Sequence, residues 1–303
     1  MAKLIGVLVG LGFLAVTLFS FATGLYTYLT TPHEEDVAHA LHQEPRDLQL
    51  ASDGPFGRFD RQQVQRGFQV FKEVCAACHS LQYVAFRNLE ELGYNEAEVK
   101  KIAADWAIEV PSINPDTGEA TTRPALPSDR FPKPYPNEAA GRAANNNAYP
   151  PDLSLMAKAR ENGSDYIYSL LTGYRDPKTW RSPEGEPLPP EAQPSTGLHF
   201  NPYFPNLNLA MPAPLTADGQ VTYADGTKAS VDQMAKDVSA FLVWTAEPRL
   251  ESRLRTGWAA LIFLTVFTVL AYMAYKNIWA DRKAKGGRET TSLSDPDKVG
   301  LNA

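Results

Sequence analysis

Cysteine is almost absent: 303 residues contain only Cys75 and Cys78. One such close pair excludes a disulfide framework, which needs several separated pairs. A tetrahedral zinc site would need two further Cys or His ligands at suitable spacing. The remaining histidines, His33, His39, His42 and His199, form no compact pair. Basic residues are also in the minority, 29 Lys and Arg against 35 Asp and Glu. No nucleic-acid partner is expected, since phosphate binding rests on an excess of Lys and Arg. No internal repeat or low-complexity tract stands out. A chain that is 44% hydrophobic and 21% charged is neither disordered nor collagen-like. Its length suits one or two domains with real cores.

What is present is Cys75-Ala76-Ala77-Cys78-His79. A thioredoxin-like motif would lie at a strand-to-helix junction and would not require the histidine. Two thiols about one helical turn apart can each add to a vinyl group of one haem, and the next residue projects its imidazole onto the iron. The motif therefore predicts one covalent haem c, with His79 as an iron ligand. The opposite face of the iron takes Met, His or Lys, or stays open, and this choice separates a carrier from a catalyst. Met1 and Met273 are out of reach. Met234 falls on an apolar helical stripe, where methionine is commonly core filler, and Met156 falls in the helical-looking LSLMAKAR. Met211 sits in the loop sequence NLAMPAPL at 208–215, where a thioether can be presented without disturbing a helix. Met211 is the expected second ligand, with His199 the next candidate.

Two apolar runs flank the rest. Residues 4–29 are 26 almost uninterrupted apolar positions without a clean Ala-x-Ala site, too long for a usual signal core and long enough to span a bilayer. Residues 257–275 form the second run, followed by Lys276, Arg282, Lys283, Lys285 and Arg288, the basic flank that marks a cytoplasmic side. Arg249, Arg253 and Arg255 upstream reduce that bias. Trp258, Tyr272, Tyr275 and Trp279 fall where aromatic belts lie. The expected organisation is an N-terminal apolar segment at 1–31 (retained anchor or signal peptide), an exported domain at 32–250, an anchor at 251–280 and a tail at 281–303. Residues 4–250 hold 20 basic and 30 acidic side chains, a net of −10. Such a charge can steer a basic partner or serve only solubility.

Within the exported part, Asp60 with Gln63 resembles a capping box, and Val64, Phe68, Phe71 and Cys75 follow at helical spacing. Ser230 with Gln233 repeats the pattern, and Met234, Val238, Phe241, Leu242 and Thr245 continue until Pro248 stops the helix. Prolines 111, 115, 124, 127, 132, 134 and 136, and those between 183 and 214, exclude regular helix or central strand there.

Several stretches together resemble the cytochrome c1 family, the haem c subunits of the cytochrome bc1 complex (ubiquinol–cytochrome c oxidoreductase). They are GPFGRFDRQQVQRGFQVFKEVCAACHSL at 54–81, RAANNNAYPPDLSLMAKAR at 142–160, DYIYSLLTGY at 165–174, AMPAPL at 210–215 and YADGTKASVDQMAKDVSAFLVWTAEPRLESR at 223–253. The resemblance implies a mainly α fold: a class I cytochrome c-like haem domain with long loop insertions, a C-terminal transmembrane helix and room for an N-terminal one. It implies a place in the inner membrane, with the haem domain on the periplasmic side and the C-terminal tail cytoplasmic. Electrons would pass from the Rieske iron-sulfur protein through a haem ligated by His79 and Met211 to a cytochrome c, with cytochrome b as a further partner.

Family haem-pocket positions map onto Asn145, Pro150, Pro151, Arg160, Tyr166, Leu170 and Leu171, with Arg160 pairing a haem propionate. Gly67 and Phe71 resemble a close helix crossing, with Leu242 or Trp244 opposite. Some bacterial relatives carry a disulfide in the insertion before the methionine. This chain has no cysteine for it, so 175–207 must be ordered by proline and packing. The competing readings are a free-standing membrane-tethered cytochrome c, which would lack the insertions at 98–145 and 175–207, and a haem enzyme with an open sixth site.

Overall fold

A computed structural model describes residues 2–31 and 36–292, with side chains for 3–31 and 36–280. His33 and the side chains of the 281–303 tail lie outside the described residues. In chain order the helices are α1 (Ala2–Thr30), α2 (Val37–Leu41), α3 (Arg61–Val70), α4 (Glu96–Ala104), α5 (Glu138–Ala144), α6 (Met156–Ala159), α7 (Gly163–Thr172), α8 (Val231–Ala246) and α9 (Leu250–Ser292). The strands are short: β1 (Val110–Ile113) pairs antiparallel with β2 (Ala120–Arg123), and β3 (His199–Phe200) with β4 (Asn208–Leu209). Pro111 lies in a two-stranded ribbon, where an edge tolerates the missing donor.

The chain divides into two compact units, Pro45–Thr172 with Ala213–Ala303, and Met1–Glu44 with Gly173–Pro212. In the larger unit, Asp60 caps α3 by accepting from the amides of Gln62 and Gln63, and Ser230 caps α8 by accepting from Gln233 at 3.1 Å. The capping box at α8 is only half made. The Gln233 amide turns to Asp237 at 2.8 Å, because that carboxylate is buried and needs donors.

Helices α3 and α8 cross at Gly67. A methyl group there would lie 2.0 Å from the Asp237 carbonyl oxygen and 2.7 Å from Phe241 Cβ, so only glycine allows this approach. The crossing therefore sits on Asp237 and Phe241 and not on the expected Leu242 or Trp244. Phe71 packs on Phe241 with ring centroids 5.6 Å apart, and Phe68, Phe86, Trp106 and Phe131 complete the aromatic core. Each such ring contributes roughly 1.5–3 kcal/mol on burial. Arg66 donates from Nε to Asp237 at 3.0 Å and from Nη1 to Asp225 at 2.8 Å, pairing the one carboxylate buried beneath the crossing.

The smaller unit has its own apolar cluster. Trp180, Leu188, Ala192, Phe200 and Leu207 are buried and covered by Val37, Ala38 and Leu41 of α2. Asn201 fixes its turn, its amide donating to the Leu207 carbonyl at 2.7 Å while its side chain accepts from Tyr203 N at 3.1 Å. Packing and backbone bonds thus order 175–207 where a crosslink would otherwise serve.

Two helices are long and apolar enough to cross a membrane, Lys3–Thr30 within α1 and Leu250–Ala280 within α9. The side chains of Lys3–Thr30 and of α9 from Arg255 to Ala280 are exposed all round, the character of a span rather than of a half-buried helix.

Candidate haem-attachment site

The α-helical register does not continue to Cys75 as the apolar spacing suggests. It stops at Val70, and Phe71–Cys75 forms one turn of π-helix, in which the Ala76 amide reaches the Phe71 carbonyl at 2.8 Å. Such insertions recur at functional sites, because they shift the register by one residue. The amides of Cys78 and His79 then both donate to the Cys75 carbonyl, at 3.1 and 2.9 Å. That closed turn holds the two thiols and the imidazole on one loop.

His79 Nδ1 lies 2.8 Å from the Pro151 carbonyl oxygen. A carbonyl only accepts, so Nδ1 carries the proton and the lone pair is left on Nε2. Burial lowers the His79 pKa below its ordinary value, against the opposing pull of the Pro151 carbonyl and Asp152. The ring is therefore neutral at physiological pH, the form that binds metal. Cys75 is a free thiol like Cys78. Burial pushes its pKa up to about 12, and the nearby Cys78 adds to the shift. Among the described residues no group of three or more His, Cys, Asp or Glu is arranged to hold a metal. The donor set fits a haem held through carbon and one imidazole.

Asp152 organises the loop opposite. Its carboxylate accepts from Ser80 Oγ at 2.7 Å, Gln82 N at 2.8 Å and Ser154 N at 3.0 Å, and Leu153 N donates to the Ser80 carbonyl at 2.9 Å. These bonds tie 80–82 to 152–154 and so fix the Pro151 carbonyl that aims His79. Pro151 thus contributes through its carbonyl, and Pro150 is half-buried beside it. Asn145 ends α5 and donates to the Gly141 carbonyl at 2.7 Å. The Tyr135 hydroxyl reaches both Asn145 and Cys78.

Tyr166 is buried in α7. Burial raises its hydroxyl pKa, with a hydrogen bond from Arg160 opposing. Arg160 itself is exposed and has no ion pair among the described residues, which leaves its guanidinium available to an anion. Leu170 and Leu171 are half-buried against the larger core together with Cys75 and Met156. Met234 is fully buried in α8, as core filler should be.

In the smaller unit, Met211 is half-buried after β4, and Tyr174 Oη donates to its carbonyl at 3.0 Å. His199 is exposed in β3. Sequence reasoning passed over Asp152, Tyr135 and Tyr174. Asp152 follows a Pro-Pro pair that reads as a helix stop, and nothing local links it to Ser80.

The Cytochrome C1 family profile matches residues 50–282, a span that includes Cys75, His79, Met211 and the apolar part of α9. "Cytochrome c1" of Rhodospirillum rubrum is 46% identical over 235 residues, covering 76% of this chain and 85% of that protein. "Cytochrome c1-2, heme protein, mitochondrial" of Solanum tuberosum is 43% identical over 263 residues, 87% of this chain and 95% of its own length. "Cytochrome b/c1" of Bradyrhizobium diazoefficiens is 46% identical over 250 residues, which are 75% of this chain and 34% of that longer protein.

Proposed function

Because the chain belongs to the cytochrome c1 family, we propose that it is the haem-carrying electron-transfer subunit of a quinol–cytochrome c reductase (bc1) complex, with His79 and Met211 as its axial iron ligands. The observation that carries this is the His79 ring, neutral and oriented by the Pro151 carbonyl at 2.8 Å, on the loop that holds both free thiols. A haem c bound there supplies one-electron transfer at its iron. Cys75 and Cys78 would tether it by thioether bonds, and His79 Nε2 and the Met211 sulfur would hold its iron. Tyr174 holds the Met211 backbone.

Asn145, Pro150, Pro151, Tyr166, Leu170 and Leu171 line the pocket, and the exposed Arg160 meets a propionate with the fork geometry suited to carboxylates. The partners are cytochrome b, the Rieske iron-sulfur protein as donor and a cytochrome c as acceptor. The haem domain faces the periplasm, α9 crosses the inner membrane and the tail at 281–303 is cytoplasmic.

The test is Met211→Leu. The variant is expected to keep its haem, to lose quinol-to-cytochrome c turnover and to fall in midpoint potential by on the order of 0.1 V, a fraction of the ~0.8 V that axial ligation spans. Its reduced form should bind carbon monoxide while the unaltered protein does not. An unaltered protein that binds carbon monoxide readily would instead be a haem enzyme with an open site. If Met211→Leu keeps its potential and Met156→Leu loses it, the ligand assignment is wrong.

A further inference from the structure

Electron transfer leaves the arginines at the head of α9 without a role. Arg253 pairs with Glu247. Arg249 and Arg255, and Arg58 across from them, have no hydrogen-bond or ion-pair partner for their guanidinium groups among the described residues. All three face one cleft of ≈ 850 Å³, floored by Phe56, Trp258 and Ile262. Unpaired arginines on the flank opposite the basic tail run against the charge bias of a membrane helix, so orientation does not account for them.

The cleft is built rather than incidental. Phe56 stacks on Trp258 at 4.9 Å and 4°, and Trp258 Nε1 donates to the Pro55 carbonyl at 2.8 Å. Phe59 N donates to Glu251 at 2.9 Å, so one of the two acidic groups at the cleft, Glu251 and Glu91, is already engaged. A side chain at Gly57 would meet the Ser52 carbonyl oxygen at 2.0 Å, so the 52–57 loop closes tightly on itself. Yet Phe56 remains 74% exposed and Ile262 63% exposed.

Depth decides what fits. Trp258 and Trp279 are 21 residues apart, about 32 Å along a helix, which matches a hydrocarbon core of about 30 Å. Trp258 therefore marks one interface, Arg255 rises about 4.5 Å above it at headgroup depth, and Ile262 lies among acyl chains. A cationic rim over an apolar floor at that depth complements a molecule that is anionic at its head and apolar below. We propose that Arg58, Arg249, Arg255 and the Phe56–Trp258 pair form a binding site for one anionic phospholipid. The arginines take the phosphate by charge-assisted bonds, and the stacked rings cover the first part of the acyl chains.

The test extracts the protein with its native partners in mild detergent and supplies phosphatidylglycerol or phosphatidylcholine. Native mass spectrometry counts the lipids retained. The unaltered protein is expected to hold one phosphatidylglycerol at least several-fold more tightly than phosphatidylcholine, and excess inorganic phosphate should not displace it. R249Q/R255Q should lose that one lipid with haem content and subunit composition unchanged, and R249K/R255K should keep most of the preference. Equal retention of the two lipids, displacement by phosphate, or undiminished binding in R249Q/R255Q would overturn the proposal. Loss of a protein subunit in place of a lipid would likewise overturn it, assigning the cleft to a partner helix. The headgroup comparison uses the unaltered protein, so it decides the matter even if the variant fails to assemble.

Discussion

Asp152 shows how one side chain can aim another that it does not touch. Its three accepted bonds close the loop whose preceding carbonyl holds the His79 ring. Removing a carboxylate from such a network costs about 1.5–3 kcal/mol per charged hydrogen bond and leaves donors unpaired. Asp152→Ala is therefore expected to unfold at a lower temperature and to show a broadened, shifted haem spectrum, while Asp152→Asn, which keeps an acceptor, should be milder. Equal melting and an unchanged spectrum in Asp152→Ala would remove Asp152 from the site.

A second carboxylate sets a pH dependence. Asp129 is held below the ordinary carboxyl range by its hydrogen bonds from Arg123, with the Leu126 amide assisting against partial burial. A carboxyl with a depressed folded value contributes stability above its unfolded value, about pH 4. That contribution is lost as pH falls through the folded value. Asp129→Asn should thus flatten the acid limb of the stability curve, as melts between about pH 3 and pH 7 would show.

At the scale of elements, the α3–α8 crossing is the least tolerant feature. Its contact is backbone against backbone at Gly67, and the Arg66–Asp237 pair is sealed beneath it. Gly67→Ala forces the helices apart and is expected to cost on the order of 3 kcal/mol or more, read as a fall in denaturation midpoint or failure to recover the haem-loaded chain. An alanine tolerated there with no loss would mean the helices can slide. The gain from alanine's helix propensity, about 1 kcal/mol, is too small to offset that overlap. The same crossing aims the π turn at Phe71–Cys75, because Phe71 is pinned on Phe241 just where the register widens.

At the scale of the molecule, two apolar helices bound a strongly acidic middle. The net of −10 over 4–250 favours encounter with a basic acceptor, and salt shortens the reach of that attraction to about 8–10 Å near physiological ionic strength. The bimolecular rate with a basic cytochrome c should fall steadily as salt rises, and a flat profile would leave the charge a matter of solubility. If α1 is retained, deleting 257–303 should still leave the chain in the membrane fraction, and only the further loss of 1–31 should release it.

The sequence alone carried the Cys75–His79 motif, the two apolar spans, the helix caps and the family, since each is local: a five-residue pattern, a run of apolar length, a side chain one turn from the amide it caps. It also marked Gly67 as a contact without finding its true partner. Tertiary structure decided the rest. The His79 tautomer depends on a carbonyl 72 positions away, the π turn arises where packing overrides an otherwise helical periodicity, and the unpaired arginines acquire meaning only once Phe56 stacks on Trp258. Those are contacts between residues far apart in the chain, and no local spacing records them.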